Sequence, residues 1–286
     1  MHSTAQAPDA ARESAATTVI EPPSGWSFPD LREIWHSADL IYFLARRDIA
    51  VRYKQTAIGA LWAILQPLLL AAVFSIFLGQ LADVPSEETP YALFALTGMT
   101  LWLFFAGAFA RCSESTVASS ELISKVYFPR LVIPIAAVIA PVVDFAAAFV
   151  VLVAVLAIGG ETPTVAILAV PLVVCVAIAL AGGIGLWLSA TVVRYRDVSL
   201  AVTFFIQLML FITPILYPLS LIPDDYQPLY VLNPLVGVLE TFRWAMLPEA
   251  SPPGLLLLIS AATGLLLLIS GLAYFKRAER RFADVI

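Results

Sequence analysis

The sequence predicts an all-α integral membrane protein: six transmembrane helices, an N-terminal amphipathic interfacial helix, and a re-entrant helical hairpin between spans 5 and 6. Three observations lead there. The 286 residues are 60% apolar and 13% charged, with a mean hydropathy of +0.91, whereas a soluble domain is about 45–50% apolar and about 25% charged. Six apolar runs reach roughly the 20 residues needed to cross a hydrocarbon core about 30 Å thick. Lys and Arg are confined almost wholly to alternate connections between those runs.

Residues 1–29 are rich in Ala, Ser, Thr and Pro and read as a disordered cytoplasmic tail. Pro8, Pro22 and Pro23 with several charges leave no apolar core, so no signal peptide is expected there. Residues 30–56 form the interfacial helix. Asp30 with Glu33 resembles an N-cap and its return partner. Leu31, Ile34, Trp35, Ala38, Ile41, Tyr42, Ala45 and Ile49 then recur on one helical face, and Asp39 starts a second helix after a break. The stretch is too charged to span. It suits the inner leaflet, with Trp35 and Tyr42 at headgroup level; the alternative is a cytosolic helix packed on protein.

Residues 57–286 form the six-span domain, with spans at Ala57–Gly79, Ala92–Ala110, Leu131–Ile158, Thr164–Val193, Val198–Tyr217 and Gly254–Phe275. Asp144 is the one acidic or basic side chain within them. Fifteen of the sixteen Lys and Arg lie before span 1, after spans 2 and 4, or in the tail; only Arg243 lies on the other side. The positive-inside rule then places both termini in the cytoplasm. The outer connections hold eight acids, among them Glu87, Glu88 and Glu249.

Two connections are more than links. The cytoplasmic segment 113–129 contains Ser115 and Ser119 as caps of a short helix, with Leu122, Ile123 and Val126 on one face and Pro129 ending it. It reads as a handle for a soluble partner, carried by Ser115, Glu121, Leu122, Ile123, Lys125, Tyr127 and Phe128; the alternative is a helix lying on lipid. Segment 218–253 is strongly apolar although it lies outside. Asn233 fits a cap before Pro234 in a first helical turn, and Glu240 and Arg243 are spaced to pair. Such a stretch suggests a re-entrant pair of short helices dipping back into the membrane. Irregular backbone at that depth needs protein or a cavity around it.

Several chemistries are excluded. Lys54, Lys125 and Lys276 follow Tyr53, Ser124 and Phe275, so no Gly-Lys phosphate loop exists and the chain has no nucleotide site of that kind. The spans contain no His, hence no Ser/His/Asp set. Cys112 and Cys175 suggest neither disulfide framework nor metal site, and a net charge of −5 argues against nucleic acid. Asp144 is a functional candidate as an intramembrane charge, or a structural group hydrogen-bonded to a neighbouring helix. With only Gln66 and Gln207 beside it, it supports an ion-driven pump poorly. Aromatics are plentiful instead: Trp62, Phe74 and Phe77 in span 1, Phe204, Phe205 and Phe211 in span 5. They either line a path where sugar rings slide over aromatic faces, or serve helix packing and interface anchoring.

These features meet in one resemblance. Arg46 to Leu69 (RRDIAVRYKQTAIGALWAILQPLL) and Leu122 to Pro134 (LISKVYFPRLVIP) resemble the span 1 entry and the coupling segment of the membrane subunit of polysaccharide and polyol-phosphate ABC exporters, of O-antigen, teichoic acid or galactan type. Ile206, Met209, Ile212-Thr213, Ile215, Ile222-Pro223, Pro234-Leu235 and Arg243 are similar to the ABC-2 permease signature. Gly237 departs from it, standing where the signature has His, Arg, Ser or Tyr. The resemblance implies a homodimer joined to two copies of a separate ABC ATPase. It implies ATP and Mg on that partner, no cofactor in this chain, and a lipid-linked glycan threaded through a channel, such as an undecaprenyl-diphosphate-linked polymer in lipopolysaccharide biosynthesis. It also implies that residues 115–128 dock in an ATPase cleft and that the hairpin after span 5 gates the outer end. Rival readings are an ABC-2 permease for a drug or small amphiphile, a membrane enzyme acting on polyprenyl phosphate, and an ion-coupled transporter.

Overall fold

The computed structural model describes residues 31–54, 58–86, 89–126, 128–161, 164–248 and 250–282. The expected tail 1–29, the capping Asp30, Ala57 at the start of span 1, Glu87, Glu88, Tyr127 and Glu249 lie outside them. The chain enters through α1 (Leu31–His36) and α2 (Ala38–Lys54). The break between them falls at Ser37, whose hydroxyl donates to the Glu33 carbonyl at 2.9 Å. α3 (Leu61–Phe74) contains Pro67 and runs on through wider turns over Ser75–Leu81. α4 (Tyr91–Ala118) and α5 (Ser120–Lys125) follow, then α6 (Val132–Ile158). α6 closes with Gly160 at φ +85°, which lets the Glu161 amide reach the Leu156 carbonyl at 2.9 Å. A tight turn over Val165–Ala169, capped by Thr164, leads into α7 (Val170–Val192). α8 (Val198–Ile212), α9 (Gln227–Val231), α10 (Pro234–Met246) and α11 (Leu256–Ala278) complete the bundle.

Five helical segments among the described residues are long and apolar enough to cross a membrane: Leu61–Leu81, Tyr91–Lys125, Val132–Ile158, Val165–Val192 and Leu256–Ala278. The expected fifth crossing, Val198 to Tyr217, is helical only over the 15 residues of α8. That is about 22 Å at 1.5 Å per residue, short of the roughly 30 Å core. The helix stops at Thr213, which is extended (ψ 135°) because Pro214 follows.

α4 is the centre of the bundle, with most of its residues buried, whereas few of those in Leu61–Leu81 are. Three of its buried hydroxyls are satisfied within the helix, Thr97, Thr100 and Ser113 donating to the carbonyls of Leu93, Leu96 and Phe109 at 2.8–2.9 Å. An aromatic seam joins α4, α6 and α10 through Phe104, Phe145, Phe149 and Phe242. α7 and α11 meet through small residues; a Cβ on Gly183 would stand 2.6 Å from the Leu267 backbone. Close backbone approach of this kind holds helices together where lipid removes the hydrophobic drive.

Candidate functional site

Two ends of the bundle carry the residues singled out in the sequence. At the entry end, α2, α5 and the start of α6 share a small core of Leu44, Ile123, Val132, Ile133 and Ala136, with Leu40, Ile41, Leu122 and Phe128 packed around it. Ile123 is buried while Glu121 and Lys125 face outward, paired at 3.2 Å. The helix α5 ends at Lys125, earlier than the expected stop at Pro129, and Val126 is extended and exposed rather than on its apolar face. Phe128 precedes Pro129, whose ring disfavours helix at the residue before it.

Ser115 differs from the expectation of a cap on the handle. α4 does not end near Ala110 but continues through Arg111 to Ala118, so Ser115 lies inside it and is buried. Its hydroxyl donates to the Cys112 carbonyl at 2.7 Å and lies 3.2 Å from Ser189 of α7; Thr116 reaches the same Ser189 at 2.6 Å. Gly185 makes this contact possible, because a Cβ there would stand 2.7 Å from Cys112. Only one residue, Ser119, separates α4 from α5, so the handle is nearly continuous with the central helix.

Asp144 is not alone. Arg52 forms an ion pair with one of its carboxylate oxygens and the Tyr53 hydroxyl donates to the other. These contacts fasten the end of α2 to the middle of α6. An intramembrane acid calls for a cationic partner, which is the one signal that points to Arg52; a separation of 92 residues hides which cation it is. α2 packs on α6 through Leu44 and Ala45 and leaves Tyr42 and Phe43 exposed, as α1 leaves Trp35.

At the far end, Asn233 caps α10 by accepting from the Leu235 amide at 3.1 Å, and its own amide donates to Thr213 at 2.9 Å. Pro234 occupies the first turn. Arg243 is 2% exposed. Its guanidinium pairs with Glu240 at 2.9 Å, donates to the Ile215 carbonyl at 2.8 Å, and lies 3.9 Å from the centre of the Phe94 ring. Gly98 admits the Ile215 backbone so closely that a Cβ would stand 2.6 Å from its carbonyl oxygen. The Tyr91 hydroxyl donates to Leu216 at 2.7 Å. Phe94 and Tyr91 carry no motif and have no signal in the sequence as members of this cluster; Thr213 stands in the signature, but nothing there names Asn233 as its partner. Gly237, the departure from the signature, lies against Leu256 and Ser260 of α11, where any side chain collides.

The aromatics divide. Trp62, Phe77, Phe204 and Phe211 are 48–66% exposed. Phe74 is partly buried against the core, and Phe205 touches Phe109 with ring centres 5.8 Å apart. Gln207 is exposed on the face of α8 that also carries Phe204 and Phe211.

A family model described as ABC-2 type transporter matches residues 39–247. The chain is 31% identical over 253 residues to the O-antigen export system permease protein RfbA of Klebsiella pneumoniae, covering 87% of this chain and 95% of that one. It is 26% identical over 262 residues to the Myxococcus xanthus protein of the same name, covering 90% and 98%. It is 27% identical over 241 residues to the polysialic acid transport protein KpsM of Escherichia coli, covering 82% and 91%.

Proposed function

The chain belongs to the ABC-2 type transporter family, and on that premise we propose that it is the permease subunit of an ATP-driven exporter of a lipid-linked polysaccharide, an undecaprenyl-diphosphate-linked polymer of O-antigen, teichoic acid or galactan type. Two copies of the chain join two copies of an ABC ATPase that binds ATP and Mg. This chain supplies the conduit and no catalysis. It lies in a bacterial inner membrane with both termini cytoplasmic, the entry helix along the inner leaflet and the 218–253 hairpin dipping back from outside. The names of the relatives and the one-sided distribution of Lys and Arg support this reading.

The observation that carries the mechanism is the position of α5. Its buried face is welded to α2 and α6 through Ile123, while Glu121 and Lys125 stand outward for a soluble partner. Behind it α4 runs 28 residues, about 42 Å, to the far end, where Phe94 and Gly98 touch Arg243 and Ile215. A push on α5 therefore travels along chains of contacts to three places: to α2 and the start of α6 through the core around Ile123, to the middle of α6 through Arg52 and Asp144, and along α4 to the cluster at Asn233–Arg243. Coupling requires that these contacts differ between two states of the ATPase. Trp62, Phe74, Phe77, Phe204, Phe205 and Phe211 then offer ring faces to a sliding glycan.

The test is ATP hydrolysis and polymer export measured together in the whole complex. Lys125→Glu, which places like charges at positions 121 and 125, and Ile123→Pro are expected to leave hydrolysis and stop export. Export at the parental rate in both variants removes α5 from the mechanism. Polymer trapped inside cells depleted of the chain supports a glycan substrate; loss of tolerance to a small amphiphile, with no trapped polymer, supports the drug-permease reading instead.

A further inference from the structure

We propose that the entry-end corner between α7 and α11 is a binding site for the phosphate head group of an anionic phospholipid, distinct from the transport path. A cavity of about 480 Å³ lies there, lined among others by Thr191, Arg194 and Tyr195 on one side and Tyr274, Arg277 and Phe282 on the other. Two of its lining residues are cations and none is an acid. A third cation stands behind: Arg130 lies over the Phe282 ring at 5.8 Å and donates to the Glu279 carbonyl at 2.5 Å. Among the described residues, the acids nearest in sequence are Glu279, held by Lys276 at 3.2 Å, and Asp197 just before α8.

The position selects a lipid over a soluble anion. Arg194 follows directly on the apolar run of α7, and Arg277 closes that of α11, so the two guanidinium groups stand at the level where lipid phosphates lie. One turn further into the apolar region, Trp187 stacks on Tyr274 with ring centres 4.1 Å apart and donates to Ser270 at 3.1 Å. Trp187 is part-exposed, and Leu266 and Ile269 continue an outward apolar face along α11. Amphipathic rings at the boundary with cations beside them make a head-group seat with an acyl track above it. The Arg194 segment is also the turn from which α8 starts, so an occupied site restrains the root of that helix.

Native mass spectrometry of the full chain, titrated with phosphatidylglycerol or phosphatidylcholine, tests this. The parent is expected to retain phosphatidylglycerol preferentially. At about fivefold per basic group near an anionic surface, Arg194→Gln with Arg277→Gln lowers that preference roughly 25-fold, while Arg194→Lys with Arg277→Lys keeps most of it. Arg46→Gln with Lys54→Gln, the same change of charge on the entry helix, lowers the preference clearly less than the corner pair does. If the double Gln protein fails to fold, Arg194→Gln alone is read for a roughly fivefold fall. Equal losses in the corner and entry-helix variants, no loss in either, or full competition by inorganic phosphate overturn the proposal. So does a preference that appears only when residues 283–286, with Asp284, are removed, since the chain's own end then fills the seat.

Discussion

Arg243 offers the sharpest test of how the far end is held. Replacing it by Met keeps much of the side-chain volume and removes, among others, the pair with Glu240, the donation to the Ile215 carbonyl and the contact with the Phe94 face. Hydrogen bonds to charged groups contribute about 1.5–3 kcal/mol each, and a desolvated cation–π contact about 2 kcal/mol. These are not additive, and breaking a buried pair from one side costs about 3–5 kcal/mol. The side chain is 3% exposed, so solvent screening takes little away, and a loss of about 3–5 kcal/mol is expected. Adding Glu240→Gln to Arg243→Met removes the carboxylate charge that Arg243 had balanced and should recover roughly 1–2 kcal/mol. Unfolding of the detergent-solubilised chain in rising dodecyl sulfate, followed by circular dichroism, reads both. A single variant within about 1 kcal/mol of the parent, or a double no better than the single, would refute the reasoning.

Three further outcomes follow from packing and pairing. Asp144→Asn and Arg52→Gln, measured singly and together, should show a coupling of about 1–2 kcal/mol, below the fully buried case because Arg52 is 32% exposed; additive losses would mean that the pair contributes nothing. Gly237→Ala should lower the thermal midpoint of the chain, with an overpacking penalty of about 1–3 kcal/mol, because the Leu256 carbonyl it strikes is backbone and has no rotamer to move to. Ser189→Ala should cost only about 1 kcal/mol, since Ser115 keeps its bond to the Cys112 carbonyl and Thr116 alone loses its partner; a loss as large as that of Gly237→Ala would show that the hydroxyl cluster does more than fill space.

Elements whose signal is local were legible in the sequence. Asn233-Pro234 announced the start of α10 because capping and a fixed φ act within two residues. The break near Ser37, the pair Glu240–Arg243 and the long apolar runs of α6, α7 and α11 are of the same kind. What failed was the inference from charge to helix end. Arg111 marked the limit of span 2 in the sequence, yet the helix continues for seven residues because Cys112, Ser115 and Thr116 pack on Gly185 and Ser189 of α7. The handle accordingly begins at Ser120. Long-range pairs were equally hidden, since nothing near Asp144 or Arg243 says that Arg52 or Phe94 will meet it. Gly237, a mismatch as a motif position, is intelligible only with α11 in place.

Exposure alone does not say which surfaces of α3 and α8 face a channel, because an apolar helix face is as content in lipid as in protein. Gln207 decides more. It is exposed near the middle of α8 on the face shared with Phe204 and Phe211, and an amide without partners in hydrocarbon costs several kcal/mol. That face therefore belongs against water or a polar neighbour. With Cys175 replaced by Ala, and Cys112 left because it is buried, a single Cys at position 207, 204 or 211 should react with a membrane-impermeant maleimide in the assembled complex. A Cys at the exposed positions 150 or 266 reports the lipid-facing baseline. Labelling at position 207 at least tenfold faster than at 266 is expected; equal rates would place the aromatic face of α8 in lipid and remove it from the path of the glycan.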